Sequence, residues 1–215
     1  MKKTVILFLY SLIFLQLKGQ ILFTSYTGYV SGYSFTSFRD SGSYYDASIN
    51  PGLQYGFDLE YKVDRLFSAG ISYLSQKSTM PVSLHFNGNI HSLNLEARVR
   101  WLLFGGTSLI PTKNSEFFFA THLGAGFYRF SDSSFKTDLR TRFAWAVSGG
   151  CNFFTRGTVG LSLRLNGLFS THPLNKGLPI PGLAENLVGY TYVFQLSGLG
   201  GIVIRFGVKS KPHTK

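Results

Sequence analysis

The sequence predicts an all-β chain, an eight-stranded antiparallel up-and-down transmembrane β-barrel, and three observations carry that expectation. The composition is the first: 14% of the 215 residues are charged, against roughly 25% in an ordinary soluble domain. Aromatics reach 16%, with 21 Phe and 12 Tyr, beside 24 Gly. The second is strict period-two alternation in segment after segment, and the third is the alternation of long and short connections between them. The same composition excludes other classes. Disordered chains are poor in aromatics, and a single cysteine cannot build a disulfide scaffold. Only one run approaches the roughly 20 apolar residues of a membrane helix.

That run opens the chain. Lys2 and Lys3 precede the apolar stretch Val5–Leu15, broken only by Tyr10 and Ser11, and Gln16 to Gln20 form a polar exit. A basic start, a short apolar stretch and a small residue near its end describe a secretory signal peptide. An anchor helix would need a longer run to cross a bilayer of about 30 Å. The expected organisation is a cleaved leader at 1–19, a barrel at 20–207 and a basic tail at 208–215. The formal charge of +11 includes Lys2, Lys3 and Lys18 in the leader and Lys209, Lys211 and Lys215 in the tail. A basic balance can signal nucleic-acid binding, but an exported chain meets anionic lipid phosphates instead, so no nucleic-acid partner is expected.

The strands follow in order. A first one lies between Ile21 and Phe35, with faces that do not separate cleanly. Leu53 to Val63 alternates at every position: Leu53, Tyr55, Phe57, Leu59, Tyr61 and Val63 against Gln54, Gly56, Asp58, Glu60 and Lys62. Such a pattern is a strand with two chemically opposite faces. After a tight turn at Asp64 to Leu66, Phe67, Ala69, Ile71 and Tyr73 share one face. Leu93 to Leu103 sets Leu95, Ala97, Val99 and Trp101 against Glu96, Arg98 and Arg100. Phe117 to Phe127, Phe143 to Phe153, Val159 to Phe169 and Tyr190 to Phe206 complete eight. Arg39 to Gly52, Lys77 to Asn89, Ser131 to Thr141 and Ser170 to Asn186 read as long polar loops leaving one end of a barrel. Gly105 to Ser115 breaks the rule, being long where a short turn belongs.

Alternation alone fits a soluble, lipocalin-like carrier as well as a membrane barrel. The chemistry of the polar face favours the membrane, because it is mostly Gly, Ala and Ser, which suit the crowded interior of eight strands. The apolar face carries aromatics towards strand ends, Tyr61, Trp101, Phe117, Phe153 and Phe206, like the girdle of a lipid-facing wall. The expected location is the outer membrane of a Gram-negative cell.

The leader, the Leu53 to Val63 strand, the Gly-rich strand Phe143 to Phe153 and the ending Gly200-Gly201-Ile202-Val203-Ile204-Arg205-Phe206 together resemble a known group. The chain resembles the eight-stranded outer-membrane β-barrel family, of the OmpA-barrel and OmpX-like kind, and within it the PorT-like branch. The resemblance covers nearly the whole chain after the leader. It implies that an aromatic residue ending the last strand serves as the barrel-insertion signal read by the barrel-assembly machinery, a role that falls to Phe206, nine residues before the end. It also implies a membrane setting of outer-membrane lipid and lipopolysaccharide, and an envelope protein complex as a further partner.

The inward set expected from parity is Asp58, Glu60 and Glu96 with Lys62, Arg98, Arg100, Arg164 and Arg205. Isolated buried charges are costly, so these must pair. One reading is an ion pathway through a small passive pore; the plainer one, expected for eight strands, is a salt-bridged plug. Lipid A-modifying chemistry would need a His beside a Ser nucleophile, oriented by a carboxylate. His91 and Ser92 are adjacent on one strand and so point to opposite faces, while His85 and His172, with Glu185 near the latter, fall in loops. Five scattered His and Cys151 show no metal-ligand spacing. No catalytic residue, metal or cofactor is expected; His122 reads as a lumen residue and Cys151 as a lipid-facing thiol. Tyr44-Tyr45, Met80-Pro81 with Phe86, and Leu178 to Pro181 read as exposed apolar groups in loops. The function expected is that of a non-enzymatic outer-membrane barrel with a structural, accessory or surface-interaction role.

Overall fold

The computed structural model describes residues 20–38, 44–86, 89–131, 140–154, 157–173 and 190–207. The leader at 1–19 and the tail at 208–215 lie outside the described residues. Ten strands follow in chain order: β1 (Ile21–Val30), β2 (Tyr33–Phe38), β3 (Tyr44–Ile49), β4 (Gly52–Lys62), β5 (Phe67–Phe86), β6 (Asn89–Pro111), β7 (Ser115–Ser131), β8 (Arg140–Phe153), β9 (Val159–Pro173) and β10 (Tyr190–Phe206). Neighbours run β5-β4-β1-β10-β9-β8-β7-β6, and β6 pairs back onto β5. All pairings are antiparallel. Eight strands therefore close a ring. Strands β2 and β3 pair with each other, and β3 continues onto the far end of β5, so they prolong β1 and β4 beyond the ring.

Among the described residues no helix is long and apolar enough to cross a membrane, and the sheet closes on itself as a ring of eight strands. Lipid offers no hydrogen-bond partner to the backbone, so a closed ring is the one sheet it tolerates. The outer wall matches that solvent. Leu53, Tyr55, Phe57 and Leu59 on β4, Phe117, Phe119 and Leu123 on β7, and Leu161, Leu163 and Leu165 on β9 all stand exposed.

Three expected loops are different in the structure. Lys77 to Asn89 is not a loop, because β5 runs to Phe86 and β6 starts at Asn89, paired all the way. Tyr44–Ile49, within the expected Arg39 to Gly52 loop, is β3. Gly105 to Ser115 is mostly strand as well: β6 continues to Pro111 and the turn is confined to residues 112–114. Short turns thus occupy one end throughout; at the other, β5 and β6 are separated by two residues only, while the connections after β7 and β9 are longer. Lys77 to Phe86 and Tyr44–Ile49 read as loops because these extensions project beyond the apolar wall, where a strand's outward residues meet water. Gly105 to Pro111 lies within the wall and reads as a loop because of Gly105, Gly106, Thr107 and Ser108.

The short turns are fixed by side chains that bond their own backbone. Asp64 Oδ1 accepts from the amides of Leu66 (2.6 Å) and Phe67 (2.8 Å). The Thr112 hydroxyl donates to the Ser115 carbonyl at 2.8 Å and accepts from its amide at 3.2 Å. Gly157, in the β8–β9 turn, has φ +113°, a region other residues adopt only under strain.

Inward residues fill the ring. At the short-turn end Leu22, Phe154 and Val203 form a small apolar cluster. Towards the far end Met80, Leu95, Val99, Trp101, Tyr128 and Leu168 belong to the main core. Met80 is thus fully buried and not an exposed loop residue, because β5 carries it inward. Trp101 likewise packs inside, edge-on to Tyr128 at 6.0 Å between ring centroids, and leaves the expected aromatic girdle. Phe117, Phe153 and Phe206 are on the outer wall and exposed. Cys151 faces outward by parity but is covered, between its register partners Phe117 and Leu163.

Glycine makes room for one large ring. A Cβ at Gly150 would lie 2.6 Å from the Phe118 ring and 2.1 Å from the Leu163 carbonyl oxygen. Gly150→Val should therefore destabilise the barrel by about 1–3 kcal/mol, the usual cost of overpacking. A lowered urea midpoint in detergent micelles, with the wild-type difference between boiled and unboiled migration in SDS gels, is the expected result.

Candidate functional site

The interior polar network begins at the short-turn end. Glu116 at the start of β7 receives Lys62 Nζ from β4 at 2.5 Å and Arg205 Nη2 from β10 at 3.5 Å. The Arg205 guanidinium lies over the Phe154 ring, 3.3 Å from its centroid. A cavity of about 190 Å³ opens here, lined in part by Lys62, Lys113, Glu116 and Arg205. The carboxylate of Glu60 accepts from Ser68 Oγ at 2.7 Å and Thr107 Oγ1 at 2.9 Å. Neither hydroxyl carries charge, so Glu60 is solvated by neighbours from β5 and β6 in place of water.

Deeper in, Asp58 and Arg164 form an ion pair with both side chains buried. The Tyr26 hydroxyl donates to Asp58 Oδ1 at 2.7 Å and lies 3.3 Å from Ser72 Oγ. Arg164 is held over two rings, 5.2 Å from the Tyr26 centroid and 4.9 Å from that of Phe118. Geometry of this kind returns part of the large desolvation cost of a buried pair. His122 is buried on the same inner face, opposite Gly105 in the β6–β7 register. Towards the far end come Gln54 and Gln76, register partners on β4 and β5 and fully buried, and then the apolar core.

The eight charged residues expected in the lumen divide into two groups. Asp58, Glu60, Lys62, Arg164 and Arg205 lie on inner faces and enter this network. Glu96, Arg98 and Arg100 do not. Leu95, Ala97, Val99, Trp101 and Leu103 are buried inside, which turns the intervening residues of β6 outward. The expected faces of Leu93 to Leu103 are therefore reversed. The physical reason is that this stretch lies where the lumen is filled by an apolar core and the wall has left the apolar band.

Two network members escaped the sequence reading. Tyr26 sits on the strand whose faces did not separate. Glu116 adjoined the supposed Gly105 to Ser115 loop, although extending the alternation back from Ala120 places it inward. With Glu116 counted and the β6 residues removed, three carboxylates balance three bases. Outside the ring, His85 Nε2 stands 3.5 Å from Asp46 Oδ2 and its ring stacks on Tyr44 at 4.2 Å; it lies on a strand, not in a loop. Leu178 to Pro181 and Glu185 lie outside the described residues, as does the side chain of His172.

No protein-family model matches the chain, and no curated protein matches it by sequence. Its structure is similar to that of the outer membrane protein OprG from Pseudomonas aeruginosa, with a TM-score of 0.54 and 12% identity over 88% of this chain and 97% of that one. It is also similar to Neisserial surface protein A, with a TM-score of 0.54 and 9% identity over 87% and 97%. A third likeness is to the outer membrane protease OmpT from Escherichia coli, with a TM-score of 0.51 and 9% identity over the same shares. At these identities the likeness is one of architecture: the chain has the fold of outer-membrane β-barrel proteins.

Proposed function

We propose that this chain is a non-enzymatic outer-membrane barrel whose role is structural or accessory, exercised at the membrane surface. The observation that carries the reading is the filled lumen. An ion-pair network closes the short-turn end, buried amides follow, and an apolar core centred on Trp101, Leu103 and Tyr128 closes the rest. Among the described residues an interior packed in this way leaves little room for water, which argues against a small passive pore. The apolar outer wall argues against a soluble lipocalin-like carrier, whose outer face would meet water. Against lipid A modification, His85 has an acid and an aromatic ring as partners and no serine hydroxyl bonded to it among the described residues.

Past the wall, the paired extensions of β2 and β3 and of β5 and β6 present a platform outside the membrane. Platforms of this kind are where barrels meet partners. In keeping with the PorT-like resemblance, participation in an envelope assembly is the accessory role to test, by co-purification in mild detergent.

Two measurements bear on the filled lumen. In planar bilayers the refolded barrel should give no stable ohmic conductance; steady channels whose selectivity changes in Arg164→Ala would sink the plug. Arg164→Ala should cost about 3–5 kcal/mol, because it leaves Asp58 buried without its partner. Asp58→Asn combined with Arg164→Met should recover most of that loss in a urea-unfolding double-mutant cycle, whereas additive losses would show that the two are not coupled.

A further inference from the structure

The β6 residues that turned out to face outward form part of a larger arrangement. Lys77 on β5 is the register partner of Arg98 on β6, and Arg98 is the register partner of Arg129 on β7. All three lie on the outer face, and Arg100 joins them two residues along β6. Among the described outward-facing strand residues, these four are the only lysines and arginines. The Lys77 and Arg98 side chains are 65% and 51% exposed.

Their height on the wall is informative. On β7 the outward residues from Phe117 to Phe127 span ten residue steps. At about 3.3 Å per residue and a tilt of about 40°, they climb about 25 Å, the height of the apolar band of an outer-membrane barrel. Arg129 is the next outward residue. On β6 the outward positions run Ile110, Ser108, Gly106, Phe104 and Leu102 before Arg100 and Arg98, and on β5 Ile71, Tyr73 and Ser75 precede Lys77. The four cations therefore sit where apolar wall gives way to headgroups, at the end carrying the long connections.

Like charges set opposite one another across neighbouring strands destabilise a sheet. One carboxylate relieves them: Glu96 accepts from Arg98 Nε at 2.6 Å and stands 3.3 Å from Lys77 Nζ. Among the described residues Arg100 and Arg129 have no ion pair. Beside the row is a polar cavity of about 780 Å³, lined in part by Lys77, Thr79, Asn94, Glu96 and Ser131. Hydroxyl, amide and carboxylate groups of this sort hydrogen-bond sugar hydroxyls, while guanidinium forks take phosphate oxygens in bidentate pairs.

We propose that Lys77, Arg98, Arg100 and Arg129 form a binding site for the phosphates of a phosphorylated glycolipid in the outer leaflet, with its sugar in the adjoining polar cavity. The site rests on the outer-membrane reading above. It gives the barrel a fixed sector of bound lipid on β5 to β7 and an orientation relative to the glycolipid layer.

Native mass spectrometry of the folded barrel in mild detergent tests this with bis-phosphorylated lipid A, dephosphorylated lipid A and phosphatidylglycerol as probes. Bis-phosphorylated lipid A should be retained in preference to the other two. Arg98→Gln with Arg129→Gln should lower the retained fraction about tenfold, as should Lys77→Gln with Arg100→Gln, since each pair removes charge-assisted bonds. Arg65→Gln with Lys113→Gln, in the turns at the opposite end, should leave it unchanged. Equal retention of all three lipids, unaltered binding by both charge-neutralised pairs, or displacement by millimolar inorganic phosphate would overturn the site. A boiled-against-unboiled gel shift verifies that each variant is folded, and envelope fractionation reads the location separately.

Discussion

Everything in this molecule follows from closing a β-sheet in a solvent that cannot hydrogen-bond. The β5–β6 pairing removes the last free edge, so each backbone amide and carbonyl of the spanning strands finds its partner within the ring. Closure at eight strands then fixes the diameter, and at that diameter side chains fill the interior. The alternation of strand residues becomes a choice between lipid and a narrow lumen. Large apolar groups such as Phe57, Phe119 and Leu163 go out, while Gly56, Ser72, Ser148 and Ser162 go in.

The interior is graded along its axis. Charged groups gather near the short-turn end, where Lys62, Glu116 and Arg205 border a small cavity. The fully buried pair Asp58–Arg164 lies deeper, embedded between Tyr26 and Phe118. Beyond the amides of Gln54 and Gln76 the lumen turns apolar. The outer wall changes in the opposite sense over the same distance, from Leu and Phe to Lys77, Arg98 and Arg129. A section through the far end therefore looks like an ordinary water-soluble protein, apolar within and charged without. Near the short-turn end the order is inverted.

That inversion explains what could be read from the sequence. Strict alternation located Leu53 to Val63, Phe117 to Phe127 and Val159 to Phe169 and assigned their faces, because in those stretches the wall meets lipid and the lumen holds Gly, Ser and charge. The same alternation in Leu93 to Leu103 was equally clear, but its sign was opposite. Period two reports that two faces differ and not which of them is inside. The consecutive apolar residues Leu102, Leu103 and Phe104 mark the crossover, where both faces of β6 are apolar. The charge count pointed the same way, since five bases against three acids could not all pair in a closed lumen. Glu116 and Tyr26 carry no clear signal for local reasons, one beside the Gly-rich, polar stretch Gly105 to Ser115 and the other on a strand with mixed faces. The strand extensions past the wall carry polar outward residues and so read as loops.

The central claim is the assignment of faces, and the chain's two tryptophans report on it. Trp145 on β8 is 38% exposed on the outer wall, stacked on Phe169, and Trp101 on β6 is fully buried inside. Single-tryptophan variants, Trp101→Phe and Trp145→Phe, refolded into vesicles of brominated phospholipid, separate the two environments. The account requires strong quenching of Trp145 in the first variant and little quenching of Trp101 in the second. Equal quenching, or the reverse order, would contradict it.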